Sequence, residues 1–375
     1  MSGIYIHIPF CSQLCYYCDF HFSLQLKTRA AMISAICKEL QLRKDFFTNH
    51  SIQTIYFGGG TPSLVPIEEV ELILNTIRSL WQVDEQAEIS FECNPDDMTI
   101  DYMQHLRAIG INRLSVGIQS FIDKELITIN RRHNSEQACQ CIKTAQQAGF
   151  KNISIDLIYG LPKQTLQSWK QSLEIAQKFD LQHISTYCLT VEKNTALNTF
   201  VKRKTITIAP EELVLQQFEY LQQWARENSF EHYELSNFAR NGAYSKHNTS
   251  YWQQKPYLGV GPSAHSYNRR ERLWNIAHNQ KYIDTLARDE LACESEILSM
   301  HACYNEYILT GLRTKWGVNM TYIQQNFPNL FTTFVAKTQS YIERGFLMLE
   351  NENIKLTKKA LLIADNIIVD LFIVE

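Results

Sequence analysis

The stretch YIHIPFCSQLCYYCDFHF, from Tyr5 to Phe22, places Cys11, Cys15 and Cys18 in a C-x3-C-x2-C pattern. Thiolates that close together select soft metals and clusters. Most cysteine-held centres use four ligands, whether structural zinc or an iron–sulfur cluster. Two readings account for three cysteines. His21, three residues after Cys18, could complete a Cys3His zinc site. Alternatively, three thiolates hold three irons of a [4Fe–4S] cluster and leave the fourth iron open.

An open iron can be chelated by the amino and carboxylate groups of S-adenosylmethionine. An electron from the cluster could then cleave the sulfonium bond, so the hard chemistry would be the cofactor's. GGGTP, from Gly58 to Pro62, fits such a nucleotide, because glycines let backbone approach a ligand closely. It lacks the Gly-Lys-Ser/Thr ending of a phosphate-binding loop. Tyr16 and Tyr17, between the cysteines, suit a shielded redox centre.

These groups need elements to position them. Strand-like runs occur at 4–10, 52–57, 87–92, 113–119, 153–159 and 183–190. Helical periodicity fills the gaps: Met32, Ile36 and Leu40 share a face, as do Val70, Ile73 and Ile77. AIGINRLSVG and QAGFKNISID each end a helix on a glycine and turn into a strand. Alternating strands and helices imply a parallel sheet, either a partial (β/α)6 barrel or a doubly wound sheet. The cysteines follow the first run and GGGTP the second. Glu92 and Gln119 end the third and fourth, and Asp156 lies in the fifth. Barrel sites gather at the C-terminal ends of strands.

Residues 1–200 read as this barrel and 201–290 as an extension carrying KHNTSYW. Residues 291–375 read as a small helical domain ending in a hairpin, FLMLENENIKLT, and a last helix, a winged-helix-like shape. That segment holds 7 Lys/Arg against 9 Asp/Glu, so it lacks the basic face that nucleic acid requires. The net charge of −3 points the same way. No run approaches the length of a membrane helix. The early strand leaves no room for a targeting peptide, and ten cysteines without a secretion signal suit reduced thiols in the cytoplasm.

Together, YIHIPFCSQLCYYCDF, YFGGGTPS, SFECNPDD, RLSVGIQSF, SIDLIYGLP and KHNTSYW resemble the radical SAM family of oxygen-independent coproporphyrinogen III oxidases and its haem chaperone branch. The resemblance implies cluster ligation by Cys11, Cys15 and Cys18. It implies an S-adenosylmethionine site lined by Tyr5, Gly59, Gly60, Thr61 and Glu92, with Tyr17, Gln119, Arg131 and Asp156 completing the rim. In the oxidases a fourth cysteine stands two residues after the third; here that position holds Phe20. The oxidases also carry a longer segment before the motif. Both departures match the chaperone branch. In KHNTSYW, His247, Tyr251 and Trp252 follow the H-N-x-x-Y-W pattern that the resemblance associates with haem. Imidazole is a standard axial ligand and aromatic rings can pack on the macrocycle. His265 is the next candidate ligand. The remaining cysteines read as packing residues. The implied function is a haem chaperone with a [4Fe–4S] cluster and S-adenosylmethionine, served by an electron donor and delivering haem to an acceptor protein. The alternative is a coproporphyrinogen oxidase acting by radical decarboxylation.

Overall fold

The computed structural model describes residues 2–47 and 51–374. The six strand-like runs form β1 (Gly3–Ile8), β2 (Ser51–Gly59), β3 (Gln82–Cys93), β4 (Arg113–Gln119), β5 (Asn152–Tyr159) and β6 (His183–Cys188). They pair in parallel in the order 1-2-3-4-5-6. A doubly wound sheet would reverse strand order at a switch point; this sheet does not, which decides for the barrel-like arrangement.

Side-chain alternation sorts the two faces. Ile4, Ile6 and Ile8 of β1, Ile55 and Phe57 of β2, and Phe91, Leu114 and Val116 of the next two strands are buried against the surrounding helices. Helix Arg29–Leu42 contributes Met32, Ile36 and Leu40, and helix Ile67–Leu80 contributes Val70, Ile73 and Ile77. The opposite parity carries polar groups. Along the register, Tyr5 faces Tyr56 and Ser90, Glu92 faces Ser115, and Gly117 faces Asp156. An apolar outer face drives folding, while the inner face is free for chemistry.

Short strands extend both edges. β7 (Glu231–Glu234) and β8 (Asn237–Ala239) pair antiparallel beyond β6. β9 (Tyr257–Val260) pairs parallel with β1, followed outward by antiparallel β10 (His265–Tyr267), β11 (Glu271–Asn275) and β12 (Cys293–Ile297). Buried Glu39 ties this extension to the first helix. It takes hydrogen bonds from Asn275 Nδ2 (2.8 Å), Tyr282 OH (2.5 Å) and Gly261 N (3.0 Å), with Arg43 paired to it at 2.9 Å.

The carboxy-terminal segment has its own apolar core, from Tyr304 to Leu371. Its helices Met300–Leu312, Met320–Asn326 and Pro328–Glu343 pack beside a sheet of β13 (Val318–Asn319), β14 (Leu347–Glu350) and β15 (Asn353–Leu356), in the order β13-β15-β14. Among the described residues, no helix is long and apolar enough to cross a membrane.

Candidate functional site

A cavity of about 410 Å³ opens at the C-terminal ends of β1 to β6. All three cysteines line it, together with Tyr17, Gly59, Gly60, Thr61, Glu92, Gln119, Arg131 and Asp156. Thus three cysteines and eight of the nine residues expected around the nucleotide converge. Tyr5 does not reach the cavity wall. It lies deeper on the inner face, its hydroxyl 3.1 Å from His7 Nδ1 and its ring stacked near Tyr56.

The cysteine loop is clamped from several sides. Cys11 N donates to Ser23 O (3.0 Å) and Tyr16 N to Ile129 O (3.2 Å). Asn130 Nδ2 donates to Leu14 O (2.6 Å). Thr61 Oγ1 donates to Cys11 Sγ and Arg131 Nη1 to Cys15 Sγ, both at 3.4 Å. Burial pushes the Cys11 thiol up and the Cys18 thiol up to about 12. Donors aimed at sulfur offset that burial once the sulfurs are metal-bound thiolates.

The structure separates the two adjacent arginines. Arg131 turns inward and also donates from Nη2 to Asn94 Oδ1 (2.8 Å) and Gly117 O (2.6 Å), while its buried Nε has no partner. Arg132 turns outward, latching the loop through Ser12 and pairing with Asp96 and Asp97.

The glycines are explained locally. Gly59 has φ +107°, and a Cβ there would sit 2.6 Å from the His7 ring. At Gly60 a Cβ would lie 2.6 Å from Phe10 O. Gly60 N and Thr61 N donate to Ile8 O (2.8 Å) and Phe10 O (2.7 Å). The triple glycine therefore seats the cysteine loop, and Gly59 N is spent on Glu92 Oε2 at 3.2 Å.

Two buried carboxyls face the cavity. Glu92 accepts from Tyr56 OH at 2.7 Å, and burial lifts it to about 7. Asp156 accepts from Ser115 Oγ at 3.3 Å, and burial lifts it to about 6 against the pull of serine hydroxyls and Arg113 and Arg131. Gln119 ends β4 at φ +65°, where the β4–β5 register shifts, and this turns its side chain into the cavity. Sequence reasoning missed Tyr56, Asn94, Ser115 and Tyr187. Tyr56 and Ser115 share the inward parity of Glu92, a signal that was available.

The structure gives His21, the fourth ligand of the zinc reading, another partner: its Nε2 is hydrogen-bonded to Asn279 Oδ1 at 2.7 Å. Among the described residues, no three His, Cys, Asp or Glu side chains stand close enough to chelate one ion. Thiolates on separate irons of a cluster need wider spacing than ligands of one zinc. Cavity, thiols, sulfur-directed donors and the partnerless Arg131 Nε fit a cluster with an anionic ligand beside it.

The structure places His247 apart from the cysteine cavity. Helix Lys246–Trp252 closes the opposite end of the barrel, and His247 is 0% exposed. Its Nδ1 is 2.8 Å from Thr54 Oγ1 and its Nε2 2.7 Å from Tyr251 OH, so both ring nitrogens have hydrogen-bond partners. Glu88 holds the helix start, accepting from Lys246 N (3.1 Å) and His247 N (3.0 Å). Tyr251 packs edge-on against His247 and Tyr257. The half-buried Trp252 leaves its Nε1 without a partner. His247 contacts Gly3 at the start of β1, whereas the cysteines follow its end. A strand of that length puts roughly 15 Å between the two ends. His265 is exposed on β10.

Comparison with known proteins agrees with this geometry. Residues 5–176 match the radical SAM superfamily and residues 298–363 the HemN C-terminal domain. The chain is 32% identical to heme chaperone HemW of Lactococcus lactis, over 98% of this chain and 96% of that protein. It is 35% identical to heme chaperone HemW of Synechocystis, over 94% and 87%. It is 30% identical to radical S-adenosyl methionine domain-containing protein 1, mitochondrial, of Bos taurus, over 99% and 87%. The structure of Escherichia coli coproporphyrinogen III oxidase (HemN) superposes with a TM-score of 0.85 at 23% identity, covering 99% of this chain and 90% of that one.

Proposed function

This chain belongs to the radical SAM superfamily, within the HemN/HemW family, and on that footing we propose that it is a haem chaperone. It binds haem, holds a [4Fe–4S] cluster and S-adenosylmethionine at the strand-end cavity, and passes haem to an acceptor protein. The observation that carries the reading is similarity along nearly the whole chain to proteins named as heme chaperones. The local departure at Phe20 supports it. Where the oxidases place a further cysteine, this chain presents a phenyl ring 67% exposed at the cavity mouth.

Cys11, Cys15 and Cys18 hold the cluster. When bound, the cluster supplies an electron that can cleave the sulfonium bond of S-adenosylmethionine. Thr61 and Arg131 donate to the sulfurs and spread their negative charge. Glu92, at about 7, offers a carboxyl to an ammonium, while Tyr17, Gln119 and Asp156 bound the remaining wall. A reducing, cytoplasmic setting suits ten unbridged cysteines, with a separate protein donating electrons.

The test sets two assays on one anaerobically reconstituted sample. Haem titration should show saturable binding. Incubation with coproporphyrinogen, reductant and S-adenosylmethionine should yield no protoporphyrinogen. Sustained decarboxylation would replace this reading with the oxidase. A Phe20→Cys variant should gain no oxidase activity, because three thiols already complete the ligand set.

A further inference from the structure

The cysteine loop has two sides. One faces the strand-end cavity, which the nucleotide fills when bound. The other faces outward: Ser12 is exposed there, and Gln13, Leu14 and Tyr16 are half-buried. Two short helices clasp that outer side. Just past helix Asp123–Thr128, Gln13 Nε2 donates to Asn130 O (2.8 Å) and Asn130 Nδ2 to Leu14 O (2.6 Å). Helix Ala196–Lys202 is tied on by Leu197 N, which donates to Tyr16 O at 2.8 Å. Its Phe200 packs edge-on against the Tyr16 ring at 4.9 Å.

The surface that these helices present is basic. Residues 193–204 hold Lys193, Lys202, Arg203 and Lys204 and no acidic residue, in a chain of net charge −3. All four are exposed, as is Lys124 on the other helix. None of the five forms an ion pair among the described residues. Neighbouring acids are turned elsewhere. Asp123 accepts from Ser135 N at 2.6 Å, and Asp19 and Glu192 line the cavity. Ile127, one turn along from Lys124, is 74% exposed. A lone exposed isoleucine is ordinary; this one stands three residues from the Asn130 that grips Leu14.

We propose that this outer face of the cysteine loop is the docking surface for an acidic one-electron carrier protein. The proposal rests on the cluster reading above and gives its electron donor a place. One electron leaves the reduced carrier and enters the cluster, with no atom or proton transferred. Carboxylates on the carrier meet the unpaired lysines and Arg203, and Ile127 supplies a small apolar contact. Complementary charge speeds and orients an encounter more than it tightens it, which suits a carrier that must leave after each electron. Such electron-transfer contacts are small, below about 1,200 Å². None of the five cations lines the cavity, so a bound nucleotide leaves the face clear.

The test uses the full chain with its cluster reconstituted anaerobically. The probe is plant-type ferredoxin, an acidic, low-potential one-electron carrier. Stopped-flow absorbance follows cluster reduction by the reduced probe, and calorimetry follows binding of the oxidised probe. Reduction of the parent should slow steeply as salt rises from about 50 to about 500 mM, because screening shortens the reach of charge. Lys202→Glu, Arg203→Glu and Lys204→Glu combined should slow it about tenfold or more at the lower salt, within the range that steering supplies. At the higher salt the difference from the parent should vanish. Lys202→Arg, Arg203→Lys and Lys204→Arg combined, which keep the charge, should match the parent. Ile127→Ser should weaken ferredoxin binding about fivefold at both salt concentrations. Reduced methyl viologen, which needs no docking surface, should reduce every variant's cluster to the same extent. If it does so while ferredoxin binds and reduces the charge-reversed chain as well as the parent, the docking surface is wrong and the cluster reading stands. Tighter binding of duplex RNA than of ferredoxin would make the face a nucleic-acid surface and overturn the proposal. If methyl viologen elicits no iron–sulfur signal from the parent, the cluster reading falls and the proposal with it.

Discussion

Arg131 Nη1 lies 3.4 Å from Cys15 Sγ, and the same guanidinium reaches Asn94 Oδ1 and Gly117 O. One buried cation thereby ties the cysteine loop to the ends of β3 and β4. Replacing it removes a positive charge and a sulfur-directed donor together. Arg131→Met is expected to shift the cluster's reduction potential downward, since the more negative reduced state loses a compensating charge. It is also expected to destabilise the fold by about 2–3 kcal/mol through lost charged hydrogen bonds. Redox titration followed by electron paramagnetic resonance and denaturant unfolding check the two halves. An unchanged potential with full cluster occupancy would remove Arg131 from the site.

Gly60→Ala tests the seating of the loop. The added methyl would press on Phe10 O at 2.6 Å and Ile8 O at 2.8 Å, backbone atoms that cannot swing aside. The β1–β2 hydrogen bonds beyond Ile8 should open and the three thiols should drift apart. We expect iron incorporation well below that of the parent, with far-ultraviolet circular dichroism nearly unchanged. Normal iron content would show that the loop adapts, leaving the glycine free for another role.

Much of this was legible in the chain, and the reasons differ by element. β1 to β6 are parallel and buried on their outer face, so their apolar runs stand out. The two glycines after helices, Gly110 and Gly149, take positive φ (105° and 87°), as their repeat implies. The short strands β7 to β12 were not legible, because each is three to five residues long and is fixed by partners far along the chain. KHNTSYW reads, by resemblance, as a haem-binding pattern, and the sequence does not show that its helix starts on Glu88, 159 residues before His247. Tyr5 keeps the inward parity of the site but stands a layer too deep to line it.

The pH dependence of stability follows from opposing buried groups. Burial holds His7 and His232 down to about 4, His133 and His247 to about 3, and His183 well below its ordinary value. Below about 6.5 the unfolded chain protonates these histidines and the folded one does not, so acidification favours unfolding. Glu92 and Glu234, both raised to about 7, and Asp156, raised to about 6, act in reverse: the folded state holds protons that the unfolded state has released. Five histidines against three carboxyls leave a net fall in stability as pH drops from about 6.5 toward 5. Each uncompensated proton is worth about 1.4 kcal/mol per pH unit. Urea midpoints of the metal-free chain between pH 5 and 7.5 measure this. Glu92→Gln removes one opposing carboxyl and should steepen the acid loss.

His247→Ala separates a ligand from a plug. The imidazole fills the barrel end, stacks on Tyr56 at 5.1 Å and satisfies Thr54 and Tyr251. Truncation leaves a cavity and two hydroxyls without their partner, at a cost of about 3 kcal/mol. Should His247 ligate iron, haem affinity and the Soret band would change far more than stability predicts. With the ring buried as found, the variant should melt earlier yet bind haem, at a temperature where it stays folded, within about twofold of the parent. His247→Gln, which can still reach one hydroxyl, should recover part of the stability and leave haem binding where it was. A selective loss of haem in both variants, at full folding, would show that the helix Lys246–Trp252 opens to expose its histidine.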